Sequence, residues 1–331
     1  MHEMTTVLVV GGAGYIGSHM VKMLLANGIS VITLDNLSKG HKESVLGGEF
    51  IRGCLSDTNL LDRIFSHHDI SAVMHFASSI EVSESVTDPS LYYRNNFSNT
   101  INLLDALVRH DVRHFIFSST AAIFGEPEYI PINEQHSTNP INPYGKTKLM
   151  VEHALADYEK AYGIKYMCLR YFNAAGADPD GEIGERHQPE SHLIPLVLQA
   201  ASGRRESISI YGDDYPTPDG TCIRDYIHVT DLCAAHLLAL KQLISGPGSN
   251  AYNLGNGIGF SIRNIIDEAR ELTGVDFTVK LDERRKGDPA LLVADATAAI
   301  NDLGWKPSYV ELNTIIRHAW AWEKKLCKLS Q

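Results

Sequence analysis

A phenol and an ammonium group stand four residues apart in Asn142-Pro143-Tyr144-Gly145-Lys146-Thr147-Lys148. Residues so spaced share one face of a helix, so Lys148 can hold the conjugate base of Tyr144 close to a bound ring. Free tyrosine has a pKa of about 10, so a base near neutrality needs a depression of roughly three units, ~4 kcal/mol, and a nearby positive charge is one way to obtain it. A Tyr-x-x-x-Lys pair alone describes many solvated helix faces. Here it follows a glycine loop, Gly11-Gly12-Ala13-Gly14-Tyr15-Ile16-Gly17, and a strand-like run Phe115-Ile116-Phe117-Ser118-Ser119-Thr120 that ends in three hydroxyls. Strand C-termini of a parallel sheet face the ligand crevice. Thr120 therefore joins Tyr144 and Lys148 in a set suited to oxidising an alcohol or reducing a ketone.

The elements that must position this set are legible around it. Thr5 to Val10 reads as a buried strand running into the glycines, and Tyr15 to Asn27 as a helix closed by Gly28, the order a dinucleotide fingerprint requires. Gly12 and Gly14 allow the turn and the close approach of a pyrophosphate, and Gly17 allows helix-to-sheet packing. The helix N-terminus supplies amide donors. Ser30 to Leu34 reads as a second strand ending at Asp35, about 20 residues on, where a carboxylate meets the adenosine ribose. A 2′-phosphate would meet like charge there, which favours NAD, although Lys39 and Lys42 leave NADP open.

Further strands are expected near 49–51, 71–76, 113–118 and 165–171, with helices between. The fold class is accordingly α/β, a doubly wound parallel (Rossmann) sheet over residues 1–175. Past Gly176 the character changes, with Gly- and Pro-bearing loops at Ala177 to Pro189 and Gly212 to Gly220, long enough to contact substrate. Residues 176–331 are expected to form a smaller mixed α/β domain, with helices near 261–273 and 311–326 and a strand near 276–280. Asp225 to Val229 reads as a strand that would return to the first sheet, so about 221–240 is assigned back to the first domain.

A chain of 331 residues, 44% of them hydrophobic, can build one large or two ordinary cores. No apolar run approaches the roughly 20 residues of a spanning helix, and the apolar start at Val7 is a sheet strand, not a signal peptide. No membrane association and a cytoplasmic location are expected. Cys54, Cys168, Cys222, Cys233 and Cys327 are scattered and odd in number, as in a reduced protein. The histidines show no His-Glu-x-x-His and no other ligand spacing, and His67-His68 reads as a solvated pair, so no metal is expected. The formal charge of −11 argues against nucleic acid, but leaves room for an anionic substrate on a local arginine cluster.

Taken together, the chain resembles the extended short-chain dehydrogenase/reductase superfamily and, within it, the UDP-glucose 4-epimerase (UDP-galactose 4-epimerase) family. The resemblance spans nearly the whole length. Besides the glycine loop to His19 it rests on Leu34-Asp35-Asn36-Leu37, His75-Phe76-Ala77, Tyr92-Tyr93-Arg94-Asn95-Asn96, Ser118-Ser119-Thr120, the Tyr144 segment and Tyr171-Phe172-Asn173. Asp219-Gly220-Thr221-Cys222-Ile223-Arg224-Asp225-Tyr226-Ile227-His228-Val229 and Arg284-Arg285-Lys286-Gly287-Asp288 point to the epimerase branch.

By that resemblance Tyr144 is the base, Thr120 bonds the sugar O4, and Lys148 holds the nicotinamide ribose. NAD would rest on Gly11, Gly14, Tyr15, Ile16, Gly17, Asp35, Asn36, Leu55, Phe76, Ala77, Asn95, Ser118, Tyr171 and Phe172, besides Tyr144 and Lys148. The UDP-sugar would meet Asn173, His192, Leu193, Ser209, Tyr211, Arg224, Arg285 and Asp288, besides Thr120 and Tyr144. The implied reaction inverts C4 of a UDP-hexose through a 4-keto sugar with NAD retained throughout. The helices near Asn95–Arg109 and Tyr144–Tyr162 would pair in a homodimer.

Two departures stand out. Cys54-Leu55 replaces the family's usual acidic-aliphatic pair, removing a carboxylate from the adenine amino group. Leu292 occupies a sugar-pocket position that is large and aromatic in some members and small in others, leaving N-acetylhexosamine, pentose and uronate forms as alternatives. A dehydratase on this fold needs an acid/base carboxylate just after the strand-end threonine, where this chain has Ala121-Ala122. A non-catalytic NAD-binding protein tends to lose the base or the lysine, and both are present.

Overall fold

Along the first strand Val7 and Val9 pack into one hydrophobic core and Leu8 and Val10 into another. Side chains alternate across a strand, so a strand apolar at every position belongs inside a sheet covered on both faces. The computed structural model describes residues 6–246, 248–285 and 288–329. Thr5, expected in the first strand, and Lys286 and Gly287, part of the last substrate motif, lie outside the described residues.

The chain runs through β1 (Thr6–Val10), α1 (Tyr15–Ala26), β2 (Ser30–Asp35), β3 (Glu49–Arg52), α2 (Thr58–His67) and β4 (Ala72–His75). Then come α3 (Val82–Thr87), α4 (Pro89–Tyr92), a π-helical segment Tyr93–Ser98, α5 (Asn99–Arg109), β5 (His114–Thr120), α6 (Pro143–Tyr162) and β6 (Lys165–Tyr171). The remainder holds β7 (Asn173–Ala175), α7 (Leu193–Ala201), β8 (Ser207–Tyr211), β9 (Ile223–His228), α8 (Val229–Ser245) and β10 (Asn250–Leu254). It ends with β11 (Gly259–Ser261), α9 (Ile262–Thr273), β12 (Thr278–Asp282), β13 (Leu291–Leu292), α10 (Thr297–Leu303) and α11 (Leu312–Leu329).

Seven strands form one sheet in the order β3-β2-β1-β4-β5-β6-β10, every neighbouring pair parallel. This is the doubly wound order with one strand added, and its ligand crevice opens outside the carboxyl ends where the order reverses, between β1 and β4. Met20, Val21 and Leu24 of α1 and Leu232 and Leu240 of α8 cover one face. Leu61 and Ile64 of α2, Leu103 and Leu107 of α5, and Val151 and Leu155 of α6 cover the other.

The strand expected at Asp225–Val229 exists as β9, but it does not return to the first sheet. It pairs with β7, β11 and β13 in a second sheet, and its ladder positions are taken by those short strands. The Asp225 carboxylate locks this arrangement by accepting the N–H groups of Asn256 at 2.7 Å, Gly257 at 3.0 Å and Ala294 at 3.1 Å. What rejoins the first sheet is the next stretch, with α8 on its face and β10 beside β6. β8 and β12 form a separate parallel ribbon, and α7, α9 and α11 share a third core through Val197, Ile265 and Ile315. Among the described residues no helix is long and apolar enough to cross a membrane.

Candidate active site

Asn142 caps α6 by accepting the Gly145 N–H at 2.9 Å, and Pro143 takes a first-turn position where its missing N–H costs nothing. Tyr144 therefore lies in the first turn and Lys148 one turn deeper. A β-carbon at Gly145 would stand 2.4 Å from the Ala122 carbonyl oxygen, so only glycine lets the start of α6 seat against the turn that follows Thr120. Lys148 is buried, and its Nζ donates to the Ser118 carbonyl at 2.7 Å and the Ser78 hydroxyl at 2.8 Å. An ammonium has three donors, so one remains for a ligand. The same nitrogen lies 4.8 Å from the Phe117 ring centre and 6.0 Å from that of Tyr144.

Burial pushes the Tyr144 phenol above its ordinary value, while a hydrogen bond with the Thr120 hydroxyl works the other way. Burial also draws Lys148 down to about 7, against the charge of Glu152. The Lys148 ammonium donates to the Ser118 carbonyl and Ser78, and the same burial penalises both charged forms. A phenolate and an ammonium formed side by side would relieve each other.

The glycine loop is bound by close packing. Gly11 has φ +81°, and a β-carbon on it would stand 2.5 Å from Ala77 N; on Gly17 it would stand 2.1 Å from the Gly11 carbonyl oxygen. At Gly14, the N-cap of α1, the nearest atom would be 3.4 Å away, and no side chain caps the helix. Its first-turn N–H groups are left for an anion. Asp35 accepts the Ala13 N–H at 3.0 Å and the Leu37 N–H at 2.8 Å, joining the loop to the end of β2. Asn36 accepts from Ser38 N at 2.9 Å, and the Tyr15 hydroxyl donates to the Gly176 carbonyl at 2.7 Å. Ile16 is half-buried beside the α8 core.

Asn95 donates to the Ser79 hydroxyl at 3.1 Å and Asn96 brackets the Ser79 backbone at 2.8 and 2.9 Å. Together they fix the Phe76–Ser79 turn from the π-helical segment, a departure from regular helix common at functional sites. The Ser118 hydroxyl accepts from Tyr171, and Phe172 N donates to Leu254 O at 3.3 Å. Leu55 is buried with its carbonyl accepting from Asn102 at 3.3 Å. Side chains and open N–H groups at the ends of β1, β2, β4, β5 and β6 thus make a cradle that fits a dinucleotide.

The residues expected to meet a sugar nucleotide fall into two groups. Asn173 donates to the Asp225 carbonyl at 3.0 Å, and buried Arg224 on β9 pairs with Asp288. Leu292 on β13 sits opposite Arg224 and packs against the cluster of Ala121, Ile123, Phe124 and Ile132, next to the turn after Thr120. On the β8–β12 ribbon, half-buried Ser209 and exposed Tyr211 form the second group, with the Arg285 guanidinium 3.9 Å above the Tyr211 ring. Leu193 opens α7. His192 caps that helix immediately before Leu193, with its Nδ1 on Glu185. Ser78 and Ser79 escaped the sequence reading, where the polar pair after Ala77 was their only signal; Asn96 stood in the Tyr92–Asn96 motif without a role assigned to it.

The family described as "NAD dependent epimerase/dehydratase family" matches residues 7–255. A UDP-glucose 4-epimerase of Halalkalibacterium halodurans is 53% identical over 96% of both chains. The structure of a UDP-glucose 4-epimerase from Brucella ovis in complex with NAD superposes with a TM-score of 0.93 at 52% identity, covering 96% of this chain and 97% of that one. One from Bifidobacterium longum, in complex with NAD+ and UDP, gives 0.93 at 37% identity, covering 97% and 98%.

Proposed function

The chain belongs to the NAD dependent epimerase/dehydratase family, and from that premise we propose that it interconverts UDP-glucose and UDP-galactose by inverting C4. The observation that carries the reading is the meeting of the Thr120 hydroxyl, the Tyr144 phenol and the Lys148 ammonium, tied through Ser78 and Ala77 to the glycine loop. When bound, NAD would supply the acceptor and then the donor of the C4 hydride, held by the glycine loop, Asp35 and Lys148. Tyr144 takes the O4 proton as C4 is oxidised to the ketone, with Thr120 holding O4. Once the 4-keto sugar has turned its other face, Tyr144 returns the proton to O4. Protons and electrons balance, and the net change is the configuration at C4. Ala121-Ala122 offers no carboxylate for elimination of water, which disfavours dehydratase chemistry.

Inversion requires the hexose to turn while the nucleotide stays, so the firm contacts belong at the UDP end. Arg224 and Arg285 would hold the diphosphate, as guanidinium forks do, with Asp288 on the uridine ribose and Asn173, Leu193, Ser209 and Tyr211 around them. Exchanging Arg285 for alanine is expected to weaken UDP binding by about 1.5–3 kcal/mol, the value of a hydrogen bond to a charged group. Calorimetric titration with UDP checks this; unchanged affinity would return Arg285 to the solvated surface. The whole reading is tested by incubating purified protein with a panel of UDP-sugars and reading product ratios. Glucose and galactose forms interconvert if it is right, and inactivity on the panel with NAD supplied would end it. Leu292 is the residue we expect to set how large a substituent is tolerated.

Residues 1–175 would serve NAD and 176–331 the UDP-sugar, with 229–254 given back to the first sheet. We further infer a cytoplasmic homodimer paired through α5 and α6. The family resemblance supports this reading, and twofold pairing is the commonest symmetry. Light scattering is expected to give twice the chain mass at micromolar concentration; a monomer there would refute the pairing.

A further inference from the structure

Four side chains outside the reaction crevice converge in the segment before α7. Glu185 and Glu190 are carboxylates with side chains only 4% exposed, and His187 and His192 come to them from the same loop. Their donor atoms, two carboxylate oxygens and two Nδ1 nitrogens, all lie within 4.8 Å of one another. His187 Nδ1 is 3.0 Å from Glu185 Oε1 and 3.7 Å from Glu190 Oε1, His192 Nδ1 is 3.9 Å from Glu190 Oε1, and His192 also contacts Glu185. A tetrahedral ion with arms of about 2.0–2.2 Å places its ligands roughly 3.3–3.6 Å apart, in the middle of this set.

The orientation of His187 agrees with this. Its buried Nδ1 faces Glu185 Oε1 at 3.0 Å without the alignment of a hydrogen bond. Two atoms at hydrogen-bond distance without hydrogen-bond geometry are what two ligands facing a common centre look like. The supports are fixed as well. Glu190 accepts the N–H groups of Ser191 at 2.8 Å and His192 at 2.9 Å, Trp322 donates to the Glu185 carbonyl at 2.9 Å, and His41 bonds the Arg186 carbonyl at 2.9 Å. The neighbouring acidic trio Asp178, Asp180 and Glu182 differs, because the Lys22 ammonium already occupies it at 2.8, 3.1 and 2.7 Å.

We propose that Glu185, His187, Glu190 and His192 form a closed structural site for one divalent ion of the zinc class. Two imidazoles and two carboxylates in a four-donor set suit zinc over magnesium or calcium, which prefer six or more oxygens. The ion pins the segment leading from Gly176 to Leu193, and the His187 ring meets the Tyr15 ring edge-on at 6.5 Å, so the site braces the cofactor loop against the first helix of the substrate side. The proposal departs from the expectation of no metal, which rested on the absence of His-Glu-x-x-His and of any other ligand spacing; the four residues stand as Glu-x-His-x-x-Glu-x-His over 185–192.

The test uses the full chain, stripped with a chelator and dialysed, then titrated with Zn2+ by calorimetry and with Co2+ by visible absorption. The proposal predicts one equivalent of Zn2+ per chain, the intense bands of tetrahedral Co2+ abolished by Zn2+ but not by Mg2+, and a higher melting temperature with Zn2+ than with chelator. His187→Ala and Glu190→Gln are each expected to lower Zn2+ affinity by at least roughly 10–100-fold, the loss that follows even from altering a residue that only supports a ligand. A folded wild-type chain that takes up no stoichiometric Zn2+ and gives no such Co2+ bands would overturn it, leaving a self-contained ion-pair cluster. Undiminished binding by a folded His187→Ala chain would overturn it equally, and the wild-type titration decides alone if the variants fail to fold.

Discussion

Replacing Tyr144 by phenylalanine lowers turnover by about 10²–10⁴-fold, the usual cost of losing a general base, while UDP affinity and NAD content stay near those of the parent chain. The ring of Tyr144 packs edge-on against Tyr92, with centroids 6.4 Å apart, and phenylalanine keeps that contact. What disappears is the hydroxyl paired with Thr120, the group placed to accept the O4 proton. Thr120→Val acts in the same direction, because it removes the partner whose hydrogen bond opposes the upward push of burial on the phenol. Steady-state rates measured alongside UDP titrations separate the two effects. Near-normal epimerisation by the phenylalanine variant would remove Tyr144 as the base.

Glu152→Ala is expected to destabilise the fold by about 3–5 kcal/mol, the cost of leaving a buried charge without its partner. Glu152 on α6 and Arg170 on β6 form a nearly buried fork, with the Arg170 Nη2 at 2.5 Å and Nε at 3.0 Å from its carboxylate oxygens, and the Ser119 hydroxyl donates to the same carboxylate at 2.5 Å. The helix that carries Tyr144 and Lys148 is thereby tied to the strand that ends in Thr120. Removing the acid strands the Arg170 guanidinium beside the Phe124 ring. Urea denaturation measures the loss. Combining Glu152→Leu with Arg170→Met should recover much of it, since apolar replacement of a whole buried pair is often neutral. A loss below about 1 kcal/mol, as for exposed pairs, would show the bridge to be solvated.

The first half of the chain was readable because its signals are local. Uncharged β1, the glycines after it and Asp35 at the end of β2 lie within one contiguous stretch, and the structure ties them together through Ala13, Gly11 and Ala77. The second half depends on pairings that no local pattern announces. β9 reads as a sheet strand whichever sheet it joins, and only the reach of Asp225 to Asn256, Gly257 and Ala294 fixes it in the second one. Ser78 was missed for the same reason, since its importance comes from Lys148, 70 residues away. The burial that acts on Tyr144, unlike the spacing to Lys148, is not written in the motif.

The most direct test of the central claim follows a deuterium label at C4. UDP-galactose labelled with deuterium on C4 is incubated with the purified chain in ordinary water and the products are read by NMR. Hydride removal and return within one site predicts UDP-glucose that keeps the deuterium at C4. Loss of the label to solvent during conversion would contradict the account, since it would mean that C4 is inverted by proton exchange and that Tyr144, Thr120 and Lys148 serve some other chemistry.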